Sequence, residues 1–432
     1  MNTIEELKSG SLRGATHVKL ACGLTTFPKE LFDLADTLEV LDMTDNTLSA
    51  LPENFGAFKK LKILFLSNNA FSKFPTVLAQ CPALSMIGFR NNNISIVEEN
   101  GLPLTTRWLI ITDNHIETLP HSMGDLSLLQ KCMLSGNKLT SLPESMSGCH
   151  NLELLRIAVN HLNKLPTFLL NLPKLSWLAY GGNPFCEKHP NCDTPLKKIR
   201  WEKLEIQEVL GEGASGLISK ALYEGKEVAV KVFKGEITSD GLPEEEMDIN
   251  ISMGHHDHLV DVLARVTGHP EGKDVLMLEL IPSNFFNLGL PPTLESCSRD
   301  VYPQGFTLTL TQALKILQGM ADACTHMHER GIMHGDFYAH NIMIDKDANS
   351  ILGDFGGASF FEPKEVAIRN GLERLEVRAF GCLMEELVEL SKEDNKDIHL
   401  KKNLIALKNR CLTIHIKERP LFSEIFKYLI NI

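Results

Sequence analysis

The residues best suited to chemistry lie between positions 334 and 356 of this 432-residue chain. His334–Asn341 reads His-Gly-Asp-Phe-Tyr-Ala-His-Asn, and Gly353–Gly356 reads Gly-Asp-Phe-Gly. One Asp, an Asn five residues later and a second Asp before Phe-Gly can place a base beside an acceptor hydroxyl and two oxygen ligands around Mg²⁺. This spacing predicts phosphoryl transfer, with Asp336 as the catalytic base and Asn341 and Asp354 as the metal ligands.

A glycine-rich segment nearer the middle of the chain is suited to holding phosphates. Gly211, Gly213 and Gly216 form a Gly-x-Gly-x-x-Gly pattern, and Ile218 follows in the place of a Val. Glycines let a backbone approach phosphates closely, and this segment joins two predicted strands instead of opening a helix, which disfavours a dinucleotide-binding fold. Lys231 ends a Val-Ala-Val-Lys strand 15 residues after the last glycine, where its ammonium would hold the α- and β-phosphates of ATP.

Together these motifs resemble the protein-kinase family, and the resemblance covers nearly all of residues 204–432. It implies that Lys231 needs an acidic partner on the next helix, and Pro243–Asp248 supplies several candidates. Counting back from the loop that contains His256–Val260 puts the expected Glu at about position 247, where Met stands. We therefore choose Glu246, one residue earlier, and expect the two preceding glutamates to be solvated.

The resemblance also implies an ATP site between two lobes. Ile218 and Ala229 would line it. Val275–Glu279 is predicted to be the strand that leads into the hinge, with Leu278 as the gatekeeper and Glu279 next to it, where adenine would hydrogen-bond to the backbone. Thr311–Arg330 has helical apolar spacing and should be the long helix that delivers the catalytic loop.

The sequence departs from the family pattern at several places. Gly335 stands where the family has the Arg that reads a phosphorylated activation loop, so regulation by such phosphorylation is not expected. Tyr338 replaces a Lys that steadies the γ-phosphate, and Glu376 stands where kinases usually carry Asp. Only 20 residues separate Gly356 from Glu376, and Ala-Pro-Glu is missing, so the usual peptide-docking segment is shortened.

These departures keep two alternatives open. A His-Gly-Asp-x-x-x-x-Asn loop with a short following segment is also seen in small-molecule kinases of the aminoglycoside and choline kinase group. A pseudokinase scaffold is the non-enzymatic alternative. Retention of Lys231, Asp336, Asn341 and Asp354 disfavours it, because buried acids that repel each other need a cation to offset them. The favoured hypothesis is an ATP- and Mg²⁺-dependent Ser/Thr protein kinase.

The first 200 residues form an internal repeat of about 23 residues. Each unit reads Leu-x-x-Leu-x-Leu-x-x-Asn-x-Leu-x-x-Leu-Pro, and the asparagines are Asn46, Asn69, Asn92, Asn114, Asn137, Asn160 and Asn183. An earlier unit from His17 to Pro28 fits with Gly23 at the Asn position, which gives eight copies. The pattern resembles the leucine-rich repeat family. No unit can bury its apolar side alone, so the units must stack into a curved solenoid.

The predicted fold is therefore an α/β solenoid followed by an α+β two-lobed kinase-like domain. We place the repeats with their caps at residues 1–190, a linker at 191–203 and the kinase-like domain at 204–432. The concave strand face carries positions such as Asp42, Phe65 and Arg90, and is expected to bind a protein substrate or regulator.

Composition excludes some functions. The net charge of −12 and pI near 5.8 argue against nucleic acid as the main partner. The sequence has neither a secretory signal nor an apolar run long enough for a membrane span. Ten cysteines, mostly at apolar positions, favour free thiols in the cytoplasm. Two local hypotheses are disfavoured: a metal or disulfide site at Cys186 and Cys192, and zinc at the histidine cluster 255–258.

Overall fold

The computed structural model describes residues 1–186, 196–213, 215–235, 238, 241–361, 365–392 and 398–432. The chain divides into two compact units by its contacts. The first holds Met1–Lys174 and Asn183–Phe185, and the second holds Leu175–Gly182 and Cys186–Ile432. Across the described ranges, no helix is both long and apolar enough to cross a membrane.

The repeats form a parallel sheet of eight short strands in sequence order. A capped helix, α1 (Ile4–Ser9), precedes them. The strands are β1 (His17–Lys19), β2 (Val40–Asp42), β3 (Ile63–Phe65), β4 (Met86–Gly88), β5 (Trp108–Ile110), β6 (Lys131–Met133), β7 (Leu154–Arg156) and β8 (Trp177–Ala179). The central residue of every strand is buried because it carries the apolar side of its repeat.

Six of the seven segments that join these strands contain a short 3-10 turn that begins just after the proline of Leu-Pro or Phe-Pro, and the segment between β4 and β5 has no such turn. These turns are Lys29–Leu34, Glu53–Ala57, Thr76–Gln80, His121–Asp125, Glu144–Gly148 and Thr167–Asn171. Proline suits this position because its fixed φ starts a turn and it has no N–H to satisfy. The repeat pattern thus predicts both the strands and the turns that separate them.

The repeat asparagines form a buried ladder of hydrogen bonds. The amide of Asn114 donates to the carbonyls of Phe89, Ile111 and Thr112 at 2.9, 3.1 and 3.1 Å. Its oxygen accepts from the N–H of Ile94 at 2.9 Å. The side chain therefore joins adjacent repeats where the backbone leaves the strand.

The second unit carries a six-stranded sheet and smaller sheets. The six strands are β9 (Lys198–Arg200), β10 (Leu204–Glu212), β11 (Gly216–Tyr223), β12 (Lys226–Phe233), β13 (Val262–Thr267) and β14 (Val275–Leu278), in the order 10-11-12-14-13-9. The smaller sheets use β15 (Phe286–Asn287), β17 (Ile342–Ile344) and β18 (Ser350–Leu352), and β16 (Ile332–Met333) with β19 (Ser359–Phe360).

Helices of the second unit position the site. They are α2 (Pro243–Met253), α3 (Leu310–Glu329), α4 (Val366–Leu390), α5 (Ile398–Cys411) and α6 (Phe422–Leu429). Thr309 caps α3 with Gln312 in a capping box, so the helix begins one residue before the sequence-based expectation.

These elements confirm the predicted fold class of a repeat solenoid followed by a two-lobed α+β domain. Lys198–Arg200, inside the range assigned to the linker, forms an edge strand that pairs with β13. The boundaries at 190 and 204 stay a prediction. Cys192 lies outside the described residues, as does most of the segment expected to cap the repeats.

Candidate active site

The predicted phosphate-binding parts lie together in the six-stranded sheet. β10 and β11 form a hairpin whose turn holds the glycine segment, and Ile218 on β11 pairs with Lys231 on β12. A methyl group placed on Gly216 would lie 3.3 Å from Cε of Lys231 and 2.6 Å from the carbonyl of Val232. Glycine is thus required here, and the lysine side chain runs alongside the turn.

Lys231 forms a buried ion pair with Glu246 of α2, the residue chosen from sequence. The other carboxylate oxygen of Glu246, Oε2, is buried without a hydrogen-bond partner. A methyl group on Gly356 would lie 3.9 Å from that oxygen and 3.4 Å from Oδ1 of Asp354. The pair therefore lies close to the Asp-Phe-Gly segment.

An apolar cluster lies beside this ion pair. It contains Ala229 and Leu278, with Ile218 packed against it. Ala229 and Leu278 pair across β12 and β14. The next residue, Glu279, continues the chain past β14 and donates its N–H to the carbonyl of Asp261 at 2.9 Å. The structure brings these four sequence-predicted residues together around the end of one strand.

The catalytic loop places Asp336 and Asn341 in direct contact. The amide nitrogen of Asn341 donates to the carboxylate of Asp336 at 3.1 Å and to its carbonyl at 2.9 Å. His334 connects this loop to Asp-Phe-Gly, because Nε2 donates to the carbonyl of Gly353 at 3.1 Å. Its ring lies 5.1 Å from that of Phe355, centroid to centroid. The loop is therefore held against the Asp-Phe-Gly segment, which carries the other predicted metal ligand.

Glu376 anchors the catalytic loop from inside α4. It is 1% exposed and accepts from Nε2 of His328 at 2.7 Å. It also accepts the backbone N–H of His334 at 3.2 Å and of Gly335 at 2.8 Å. Burial by itself raises the pKa of this carboxyl, but the hydrogen bond and charge of His328 outweigh burial and lower it. Glu376, which stands where kinases usually carry Asp, therefore positions the start of the catalytic loop.

The backbone conformation and close neighbours of Gly335 explain why this position does not carry Arg. Its φ is +71°, a conformation that side chains rarely adopt. A methyl group there would lie 2.6 Å from the carbonyl of Leu178 and would also collide with the carbonyl of Gly357. No larger residue fits this position without moving backbone.

Tyr338 lies in a stack of rings instead of presenting a flexible cation. Its ring lies 4.3 Å from that of Trp177 at an angle of 4°, and 5.0 Å from that of His340. His340 in turn contacts Asp300 through Nδ1 at 2.7 Å. Burial lowers the pKa of His340, but the bond to Asp300 outweighs it and leaves the pKa raised.

Sequence reasoning missed several residues of this site. It assigned Glu245 to a solvated face, which is wrong: Glu245 is half-buried and accepts the N–H of Gly182 at 2.7 Å. Trp177 was also missed, although an aromatic residue at a strand-face position was a visible signal. The shortened segment after Asp-Phe-Gly agrees with the sequence, because α4 begins at Val366 and already contains Glu376.

The side-chain oxygens of Asn341 and Asp354 suit a cation that phosphate oxygens also bind. The amide nitrogen of Asn341 contacts Asp336, which leaves its side-chain oxygen as the atom able to bind a cation. In the part of the chain that the structure describes, no three His, Cys, Asp or Glu side chains form a metal site, and this includes His255, His256 and His258. Magnesium takes only one or two protein ligands when it is shared with a nucleotide, so Asn341 and Asp354 fit that mode.

Comparison with known families agrees with this geometry. Residues 204–378 match the family described as the protein kinase domain. These residues form a protein kinase domain, and in the sequence they follow the 23-residue repeats whose strands form the eight-stranded parallel sheet.

Curated relatives match the same half of the chain. A probable L-type lectin-domain containing receptor kinase of Arabidopsis thaliana is 29% identical over 233 residues, 47% of this chain and 34% of that protein. A proline-rich receptor-like protein kinase of the same plant is 28% identical over 46% of this chain and 29% of its own. The bovine phosphorylase b kinase gamma catalytic chain of the liver/testis isoform is 26% identical over 40% and 42%. The chain spans less than half the length of each.

A solved structure matches as well. It is that of a leucine-rich repeat protein of Leptospira interrogans, with a TM-score of 0.40 and 28% identity over 42% of this chain and 46% of that one.

Proposed function

We propose that this chain transfers the γ-phosphate of ATP to Ser or Thr hydroxyls of a protein acceptor. The observation that carries the proposal is the Lys231–Glu246 ion pair beside Asp-Phe-Gly, in a domain that also joins Asp336 to Asn341. In kinases this pair and the Asp-Phe-Gly aspartate must both be in place for transfer. The names of the relatives, several of which are Ser/Thr or receptor kinases, favour a protein acceptor.

Each predicted residue then has a role. Gly211, Gly213 and Gly216 would cover the phosphates with backbone. Lys231 would hold the α- and β-phosphates, and Asp336 would accept the hydroxyl proton or orient the acceptor.

Adenine would lie between the apolar side chains of Ile218, Ala229 and Leu278. The backbone that follows, from Glu279, would supply its hydrogen bonds. The apolar cluster around Leu278 supports this placement.

Asn341 and Asp354 would hold a divalent cation, for which we propose Mg²⁺. The bound ion would neutralise charge on the β- and γ-phosphates. The oxygen ligands of both side chains are of the kind that Mg²⁺ prefers.

The repeat array would recruit the protein substrate or a regulator on its concave face. Joining a binding surface to a catalytic domain raises the effective concentration of the acceptor. This would compensate for the shortened segment after Asp-Phe-Gly. Phe65 on β3 is partly exposed, and Arg90, two residues after β4, is exposed, so these two residues are our candidates for the contact.

We further propose the reducing cytoplasm as the compartment. Seven of the nine cysteines within the described ranges are buried. Burial raises the pKa of the Cys81 and Cys149 thiols to about 11, so both stay protonated and unreactive.

A phosphoryl-transfer assay tests the proposal. Purified full-length protein is incubated with γ-labelled ATP, Mg²⁺ and casein, beside Lys231→Ala, Asp336→Asn and Asp354→Asn. Lys226→Ala, an exposed lysine on the same strand as Lys231, is the matched control. We expect label on Ser or Thr with the unaltered protein and the control, and a fall of about a hundredfold or more in each of the three variants.

Other outcomes would contradict the proposal. Unchanged transfer by a folded Asp336→Asn variant would remove the assigned role of that residue. Label appearing only on choline or an aminoglycoside would indicate a small-molecule kinase. ATP binding without any transfer would indicate a pseudokinase.

A further inference from the structure

One short segment contacts four parts of the kinase site. Leu175–Gly182 contains strand β8 and belongs to the second unit. It contacts the catalytic loop, strand β19, helix α2 and helix α4, as detailed below. None of these contacts is needed to bind ATP or to hold a metal, so they need another explanation.

The first contact is with the catalytic loop. The indole N–H of Trp177 donates to the carbonyl of Phe337 at 2.9 Å, and its ring stacks on that of Tyr338. Trp177 is 1% exposed, so both groups are shielded from water. The contact fixes the two residues that directly follow Asp336.

The second contact is with the segment after Asp-Phe-Gly. The hydroxyl of Tyr180 donates to the carbonyl of Phe360 at 3.2 Å, and the N–H of Tyr180 points to the hydroxyl of Ser359 at 3.5 Å. Ser359 and Phe360 form β19, which pairs with β16 just before the catalytic loop. On α4, Arg378 donates to the hydroxyl of Ser176 at 2.7 Å.

The third contact is with helix α2. The N–H of Gly182 donates to the carboxylate of Glu245 at 2.7 Å. Gly181 lies so close that a methyl group there would collide with the same carboxylate. Glu245 directly precedes Glu246, the partner of Lys231, so this bond acts on the start of the helix that presents the ion pair.

We propose that Leu175–Gly182 is a positioning element of the kinase site, which holds α2 through Glu245 and braces the catalytic loop through Trp177. Kinases normally fix α2 and the catalytic loop with a longer segment after Asp-Phe-Gly, and that segment is short here. Leu175–Gly182 takes the place of that longer segment and holds α2 and the catalytic loop in position. This inference rests on the proposed function, because the geometry it maintains is that of phosphoryl transfer.

The test removes the bond to α2 and leaves Lys231, Glu246 and Asp336 unchanged. Glu245→Ala is compared with the unaltered full-length chain, and the exposed neighbour Glu244→Ala is the matched control. Glu245→Gln keeps an oxygen acceptor and should rescue most of the loss. We expect Glu245→Ala to weaken Mg²⁺·ATP binding about tenfold, as measured by calorimetry. The same variant should lower kcat about tenfold. Its melting temperature should stay close to that of the control.

A double-mutant cycle shows whether Glu245 acts through the ion pair. In a Glu246→Ala background, Glu245→Ala should have little further effect, since the pair that it positions is already absent. Equal losses in both backgrounds would mean that Glu245 stabilises the fold generally, and would overturn the inference.

Substitutions of Trp177 provide a second test of the inference. Trp177→Phe keeps the stack and loses the N–H, and Trp177→Ala loses both, so turnover should fall in that order. A rise in turnover with Trp177→Ala would show that the segment inhibits the site, and would overturn the inference.

The outcomes separate the two proposals. Normal transfer by Glu245→Ala would overturn the inference and leave the proposed function standing. If the unaltered chain transfers no phosphate, the ATP-binding arm still decides the inference through the Glu245 and Glu246 cycle. If the chain binds no ATP, both proposals fall.

Discussion

At the level of single residues, Glu376 joins helix α3 and the start of the catalytic loop through one side chain. Its two oxygens receive His328 and the N–H groups of His334 and Gly335, all in the interior. Water cannot take the place of this acceptor, because the carboxylate is buried. The geometry of the loop before Asp336 therefore depends on one carboxylate.

We predict that Glu376→Gln lowers the free energy of unfolding by about 3 kcal/mol and reduces kcat at least tenfold, because an amide puts a donor against buried donors. Urea unfolding and the transfer assay measure the two effects. Glu389→Gln, exposed on the same helix, is the control and should change neither.

The same residue gives a prediction about pH. The folded-state pKa of Glu376 is lowered from its ordinary value of 4.5. Its ionised form therefore contributes stability that is complete above about pH 4.5 and is lost as the pH falls through the lower folded value. Between pH 6 and pH 3.5, Glu376→Gln should lose unfolding free energy less steeply than the unaltered chain. Equal slopes would contradict this assignment.

Among the elements, the asparagine ladder decides whether the repeats stay stacked. Asn114 gives the buried N–H of Ile94 its partner, and it shares the carbonyls of Phe89, Ile111 and Thr112 with other donors of the array. The strands between these turns are only three residues long, so side-chain bonds replace part of a normal strand ladder. The apolar interior and the asparagine amides therefore both contribute to the free energy that keeps the repeats stacked.

We predict that Asn114→Ala destabilises the repeat array by about 2 kcal/mol, since it removes four hydrogen bonds and leaves the buried N–H of Ile94 without a partner. Urea unfolding followed by circular dichroism measures the loss. Asn93→Ala replaces an exposed asparagine in the preceding turn and should cost much less. Equal effects would mean that asparagine stabilises these turns by its backbone preference alone.

At the scale of the whole molecule, the proposed function predicts a division of work between recruitment and chemistry. Phe65 lies on strand β3 against Gly88 of β4, and Arg90 is exposed two residues further along. Neither residue belongs to the kinase unit. Changes there should affect which proteins are phosphorylated and not how fast the site works.

We predict that Phe65→Ala with Arg90→Ala lowers labelling of proteins in a cell extract several-fold, while turnover of a short Ser/Thr peptide stays the same. Phosphoproteomics with the purified chain measures the first quantity and the peptide assay the second. Lys60→Ala, exposed outside the strand face, serves as the control. Parallel losses on extract and peptide would contradict recruitment by this surface.

The sequence by itself determined the repeat period, the strand–turn alternation and the spacing of Lys231, Asp336, Asn341 and Asp354. These features are local or periodic, so residue type and spacing are enough to define them. It also identified Glu246, because the pair requires an acid on the next helix.

Only the tertiary structure decided the roles of Glu376, Trp177 and Glu245. Their partners lie 41 residues away for Glu376 and Gly335, 160 for Trp177 and Phe337, and 63 for Glu245 and Gly182. Burial and close approach, not local pattern, give these residues their contacts. A glutamate in a predicted helix start or a tryptophan in a repeat strand has the same local sequence whether or not the folded chain brings a catalytic loop against it.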